Sequence, residues 1–166
     1  GSDSCSSEAQ GRLMDEGAAQ QWLSDHFDVS RETSGRLQDF INLLGTENER
    51  QNLVSTATLD RVWGRHIVDS AQLIRFAPDP GASWIDLGTG AGFPGLVVAL
   101  LHRGNVTLVE ERKKRIEFLR EAATVLGVDT RCEIVPSKVE REDPRPFGVI
   151  TARAFAPLDK VLAVGH

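Results

Sequence analysis

An α/β fold is what this sequence predicts: an open, doubly wound parallel sheet of about four strands preceded by a helical region. Three observations carry that expectation. Apolar residues recur at helical spacing between residues 17 and 80, and short β-like runs alternate with helical runs after residue 81. Four glycines, Gly88, Gly90, Gly92 and Gly95, stand where the first β-like run hands over to a helix. Alternating β and α segments imply parallel strands joined by right-handed crossovers.

Residues 1–16 are rich in Ser, Gly and Gln with almost no large apolar side chain, and Gly1-Ser2 has the look of a cloning remnant. The segment is expected to be a disordered tail, with Cys5 an exposed thiol. The helical region, 17–80, opens with Trp22, Leu23 and Phe27 on a short amphipathic helix. Ser30 is placed to cap a second helix, whose Leu37, Phe40, Ile41 and Leu44 share one face. Gln51–Ser55 reads as a connector. A third helical stretch runs from Leu59 to Phe76, with Val62, Trp63, Ile67, Leu73 and Ile74 as its stripe, until Pro78 and Pro80-Gly81 end it.

From residue 81 to 166 the rhythm is that of the sheet. Trp84–Leu87 is a strand, Phe93–Leu101 a helix, Val106–Val109 a strand and Lys113–Leu126 a helix with Ile116, Leu119, Ala123 and Leu126 on one side. Cys132–Val135 and Phe147–Thr151 complete a count of four strands, followed by an apolar stretch from Pro157. Domains of this kind usually have six or seven strands. The core is therefore expected to be incomplete at its C-terminus, with the fourth strand an exposed edge open to self-association.

Composition narrows the function classes. A chain of 166 residues supports one domain with a real core. No apolar run reaches the roughly 18–20 residues of a membrane span, and no signal peptide is recognisable. Cys5 and Cys132 are far apart and lack metal-ligand spacing, which argues against a disulfide framework or structural zinc and suits a reducing cytoplasm. The net charge of −5 tells against a purely electrostatic nucleic-acid binder but leaves room for one local basic face. Arg112-Lys113-Lys114-Arg115 is the only dense basic run, and a solvated helix face is the favoured reading for it.

Asp86-Leu87-Gly88-Thr89-Gly90-Ala91-Gly92-Phe93-Pro94-Gly95 is the strongest chemical signal. A buried strand enters glycines that allow tight turning and close approach of backbone to a ligand. Pro94 suits the first turn of the next helix, whose N-terminus offers unpaired N–H donors. Such a loop is the ligand-binding feature of Rossmann-like domains, and Gly90-x-Gly92-x-x-Gly95 also fits the dinucleotide fingerprint. Asp86 shifts the balance toward S-adenosyl-L-methionine, because a carboxylate beside the loop repels a pyrophosphate and attracts an ammonium or sulfonium. Phe93 is bulky where a pyrophosphate turn prefers little side chain. Glu110, ending the second strand, can accept both ribose hydroxyls of an adenosine and serves either cofactor. A purely structural glycine turn is the plain alternative, and Glu111 reads as an exposed acid at a helix start.

Several stretches together resemble the bacterial 16S ribosomal RNA guanine-N7 methyltransferase family (RsmG, formerly GidB). They are Asn52–Ser55, Arg65-His66-Ile67-Val68-Asp69-Ser70, Asp86 through Gly95, Lys114-Arg115 with Phe118-Leu119, Ser137–Glu140 and Thr151–Ala156, in unbroken order over about residues 37–162. The resemblance implies an S-adenosylmethionine-dependent methyltransferase that acts on 16S rRNA in the 30S subunit and releases S-adenosylhomocysteine. It further implies that Gly88 and Phe93 lie against the cofactor, that Val139 and Glu140 frame its adenine, and that Arg153 reaches it. Two positions depart from the family pattern. Lys138 replaces an arginine, losing a planar bidentate fork, and Glu47 replaces the tryptophan that normally precedes the residue matched by Asn48.

The residues suit undemanding chemistry. Guanine N7 has an in-plane lone pair and no proton, so transfer to it needs alignment and no general base. Thr151-Ala152-Arg153-Ala154 replaces the Asn/Asp-Pro-Pro-aromatic turn of exocyclic amine methylation, and Cys132 lacks the preceding proline of a cytosine-C5 nucleophile. No catalytic residue is assigned; Arg153, His66 and Lys138 are positioning candidates. For His66 the favoured reading is structural, a pairing with Asp69 at i, i+3, and for Arg153 the plain alternative is a surface ion pair. Competing functions are a fragment that binds cofactor or ribosome without turnover, and a nicotinamide-dependent oxidoreductase.

Overall fold

The computed structural model describes residues 15–138, 147–153 and 159–163. Helix α1 spans Glu16–His26, α2 spans Arg31–Glu47 and the single turn α3 spans Thr56–Leu59. An irregular helix follows, made of a π-helical segment Trp63–Val68, the α turn α4 Asp69–Gln72 and a 3-10 turn Leu73–Phe76. The sheet region contains β1 Trp84–Leu87, α5 Gly95–Leu101, β2 Val106–Glu110, α6 Lys113–Leu126, β3 Cys132–Pro136, β4 Val149–Arg153 and β5 Asp159–Ala163. Strand order is β3-β2-β1-β4-β5, with β1 parallel to β2 and β4, and β2 parallel to β3. The direction of winding reverses at β1, so the crevice beyond the carboxyl ends of β1 and β4 is the topological switch point where such sheets bind ligands.

Helix starts follow local chemistry. Asp15 and Ser30 accept hydrogen bonds from Ala18 N and Thr33 N, and Ser55 does the same for Thr58 N. The first helix therefore begins earlier than composition suggests: Glu16 belongs to α1 and not to a tail. Its carboxylate oxygens accept from Trp63 N and Gly64 N, both at 3.1 Å, and hold the first turn of the π segment. Asn48 organises the connector, its Oδ1 accepting from Leu53 N and Val54 N and its Nδ2 donating to Val54 O.

One apolar cluster joins the two regions. It contains Leu23, Leu37, Phe40 and Leu44 from α1 and α2, Trp63 and Ile67 from the irregular helix, and Leu96, Leu108, Phe118 and Leu119 from the sheet region. Arg36 extends from α2 to donate to Leu126 O at the end of α6. Leu73 and Ile74 are only partly buried at the margin of this cluster.

The four parallel strands that the sequence predicts are present, and one further strand is added to them. A fifth strand, β5, pairs antiparallel with β4 from Val149↔Ala163 to Arg153↔Asp159. Only residues 154–158 separate the two strands, too few for a crossover, which needs a dozen or more; a reversal of direction is what the chain can make. The outer edge of β4 is thus covered, and self-association through that edge is withdrawn. Among the described residues no helix is long and apolar enough to cross a membrane.

Cys132 opens β3 as a buried residue packed in the core. Burial, with a smaller contribution from the Asp86 carboxylate, pushes its thiol from an ordinary 9.0 up to about 12, against a lowering by Arg131. The thiolate is the nucleophile, so native protein at pH 8 is expected to resist iodoacetamide at Cys132 and to react there once unfolded in urea, as read by peptide mass. Because the unfolded chain ionises this thiol from about pH 9 and the folded chain only near 12, Cys132 costs no stability below pH 9 and progressively withdraws it between those values. Urea midpoints of wild type and Cys132→Ala should therefore converge as pH rises through that window.

Candidate functional site at the glycine loop

After Leu87 the chain turns through Gly88, Gly90 and Gly92, at φ of 69°, 60° and 97°. The requirement for glycine is sharpest at Gly92, where a Cβ would run into Leu96 as well as take that left-handed φ. Gly95 fails for a different reason: its Cβ would overlap Leu108 Cδ2 and stand 2.8 Å from Asp86 Oδ2. Pro94 is the cap residue before α5, following a cis peptide from Phe93, and is not inside the first turn.

Asp86 lies beneath the loop, 1 % exposed. Its Oδ2 accepts from Thr89 Oγ1 at 2.6 Å and from Gly95 N at 3.0 Å, and its Oδ1 accepts from Thr151 Oγ1 at 2.9 Å. Thr151 Oγ1 in turn accepts from Trp84 Nε1 at 3.0 Å. Register explains the chain of contacts: Asp86 pairs with Thr151 across β1 and β4, and strand alternation puts Trp84 on the same face as Asp86. The sequence suggests a carboxylate facing the ligand; its place is under the turn, where it acts as a brace. The reason is steric, since only Gly95 leaves room for the carboxylate to reach the start of α5.

The same bonds correct the expectation of free donors at that helix. Gly88 N and Thr89 N both donate to Val109 O, Gly90 N to Glu110, Gly92 N to Thr89 O, Gly95 N to Asp86 and Leu96 N to Gly92 O. A diphosphate seated on this loop would find these N–H groups already engaged.

Glu110, 4 % exposed at the end of β2, accepts from Gly90 N at 3.0 Å through Oε1. Its Oε2 accepts from Glu111 N at 3.1 Å and Arg112 N at 3.0 Å. An ionised carboxylate has about four acceptor positions, so these three bonds leave capacity for one further hydroxyl and not for the pair that its place in the sequence suggests. All three donors are neutral backbone groups, and among the described residues Glu110 enters no salt bridge. Its negative charge therefore acts on whatever lies beside Gly90.

Phe93 turns inward. Its ring, 3 % exposed, stacks on His66 with centroids 4.6 Å apart and planes at 17°, and meets Phe40 edge-on at 5.7 Å. His66 is thereby held against the loop by a ring contact that no spacing argument supplies. Of the basic run, Arg112, Lys113 and Lys114 are exposed as expected of a helix face, but Arg115 is not part of that face. Its guanidinium donates to Asn52 O at 3.4 Å and lies 4.0 Å from the Cβ position of Gly90. The signal for Arg115 is its offset from Glu110 by a turn that reverses the chain, visible only once β2 and α6 are placed.

Lys138 is exposed just beyond β3, and Arg153 ends β4 at the carboxyl edge with Asp159 as its register partner. Val139 and Glu140 lie outside the described residues. Glu47 sits away from the loop, its carboxylate accepting from Gln51 Nε2 at 3.2 Å. Among the described residues no three His, Cys, Asp or Glu side chains converge as metal ligands.

Comparison with known proteins gives this geometry a family. The GidB family profile, described as rRNA small subunit methyltransferase G, matches residues 33–166. The protein named ribosomal RNA small subunit methyltransferase G from Zymomonas mobilis is 48% identical over 148 residues, 84% of this chain and 66% of that protein. Its namesake from Novosphingobium aromaticivorans is 47% identical over 155 residues, 92% of this chain and 67% of that protein. The chain thus spans about two thirds of the length of the curated relatives it matches. A solved O-methyltransferase from Bacillus cereus, in complex with SAH, superposes at a TM-score of 0.50 with 18% identity, over 80% of this chain and 58% of that one. That likeness concerns the fold alone.

Removing the brace should be costly. Asp86→Ala removes the acceptor of Thr89 Oγ1 and Gly95 N and leaves Thr151 Oγ1 only the longer bond to Ile85 O, and hydrogen bonds to a charged group contribute about 1.5–3 kcal/mol each. A loss of roughly 3 kcal/mol or more in urea unfolding is expected, against less than about 0.5 kcal/mol for Glu111→Ala on the surface. Equal midpoints for the two variants would remove Asp86 from its structural role.

Proposed function

The chain belongs to the GidB family of rRNA small subunit methyltransferases, and on that premise we propose that it carries the S-adenosylmethionine-binding part of an enzyme that methylates N7 of a guanine in 16S rRNA of the 30S subunit. The observation that carries this reading is Glu110: a buried carboxylate that, among the described residues, accepts from the neutral N–H groups of Gly90, Glu111 and Arg112 and is set against Gly90. A cationic nucleoside gains from that charge, and one ribose hydroxyl can take the remaining acceptor position. A dinucleotide diphosphate would find the loop donors committed to Asp86, Glu110 and Val109. The residues therefore fit the methyl donor and disfavour the oxidoreductase alternative.

In this reading Gly88, Gly90 and Gly92 give the ligand close access to backbone, Asp86 holds the loop in shape from below, and Phe93 keeps it against the helical wall. Val139, Glu140 and Arg153 are the further cofactor contacts in this reading, with Lys138 and Arg153 as positioning candidates. S-adenosylmethionine supplies, when bound, a methyl group on a sulfonium. What the protein must contribute for a lone-pair nucleophile such as guanine N7 is orientation, which can be worth about 7–11 kcal/mol; no proton has to be removed from N7.

Calorimetric titration tests the cofactor assignment. S-adenosylhomocysteine is expected to bind and NAD(H) not to, with Glu110→Ala weakening the former by about ten-fold or more. Tight NAD(H) binding without S-adenosylhomocysteine binding would sink the proposal. Transfer of radiolabelled methyl to 30S subunits by this chain, mapped to a guanine N7, tests the activity; binding without transfer would favour the non-catalytic alternative.

A further inference from the structure

Four aromatic rings form a continuous column from the core to the glycine loop. Phe118 of α6 lies 6.4 Å from Phe40 of α2, Phe40 meets Phe93 edge-on, and Phe93 carries the His66 imidazole in a near-parallel stack. The first three rings are buried, and His66 alone keeps partial contact with solvent. It does so on the π-helical segment, where an inserted residue re-aims the side chains that follow; such segments are frequent at functional sites. The deformation is braced, because Glu16 bonds both Trp63 N and Gly64 N at its start.

We infer that His66 is the stacking platform for the unpaired target base, an assignment that rests on the RNA methyltransferase reading above. One face of the imidazole is taken by Phe93, which fixes the plane of the ring. A flat ring of fixed orientation, partly exposed and supported by buried aromatics, is what a base extruded from an RNA strand stacks upon, and proteins use Phe, Tyr, Trp and His for that purpose. The exposed Arg61 and Arg65, one helical turn apart on the same stretch, are of the right charge for the flanking phosphates. Stacking needs the ring and not its nitrogens, so phenylalanine should substitute for histidine and an aliphatic residue should not.

The test uses full-length protein saturated with S-adenosylhomocysteine and a single-stranded RNA carrying 2-aminopurine at the target position. Wild type and His66→Phe are expected to quench the fluorophore on binding, while His66→Leu loses the quenching and binds about ten- to hundred-fold more weakly. Affinity for S-adenosylhomocysteine should change by less than about three-fold in both variants. Undiminished quenching by His66→Leu, or absence of quenching by wild type, would overturn the inference. So would a parallel loss of S-adenosylhomocysteine affinity in His66→Leu, which would mark the ring as a strut for Phe93. Methyl transfer measured alongside separates the two readings: quenching without transfer defeats the enzymatic proposal and leaves the stacking one standing.

Discussion

The hydrogen bonds converging on the Asp86 carboxylate are the constraint from which the rest of the site follows. They tie the end of β1 to the start of α5 through Gly95, to the loop through Thr89 and to β4 through Thr151. The loop and α5, which follow Asp86 directly, and β4, which is remote from it in sequence, thus meet on one buried carboxylate. Burying a carboxylate is expensive unless its lone pairs are satisfied, so the acceptance of three donors is what makes the position tolerable. It also fixes where the loop can go: with α5 pulled onto Asp86 and the turn pulled onto Val109 and Glu110, the glycines have one path over the strand ends.

Glu110 repeats the device with a different outcome. Asp86 spends its bonds inside the protein and stabilises shape. Glu110 spends three on the backbone and remains charged beside Gly90. Two acids that look alike in the sequence, each on a parallel strand, take different places because one sits under the turn and the other beside it.

The N-terminal helices form the second wall of the crevice. Phe40 from α2 and His66 from the irregular helix clasp Phe93 from two sides, and Glu16 from α1 holds the segment that bears His66. Displacement of α1 or α2 would consequently be felt at the loop. Arg115 adds a link between the connector at Asn52 and Gly90, and gives an acidic chain a cation next to its glycine turn.

Much of this was legible in the residues. The cap at Ser30, the parallel strands, the switch-point location and the loop itself follow from periodicity and from glycines, which are local properties. The antiparallel β5 was legible too, in the shortness of 154–158, but the apolar run hides it unless connection length is weighed. What the sequence by itself determined was the architecture and the presence of a nucleoside-type loop. Only the tertiary structure decided that Asp86 points under the loop, that Glu110 has room for one hydroxyl, that Arg115 leaves the basic face, and that His66 lies flat on Phe93. Each of these depends on side chains from segments tens of residues apart, and a linear pattern records which groups exist without recording which of them compete for the same space.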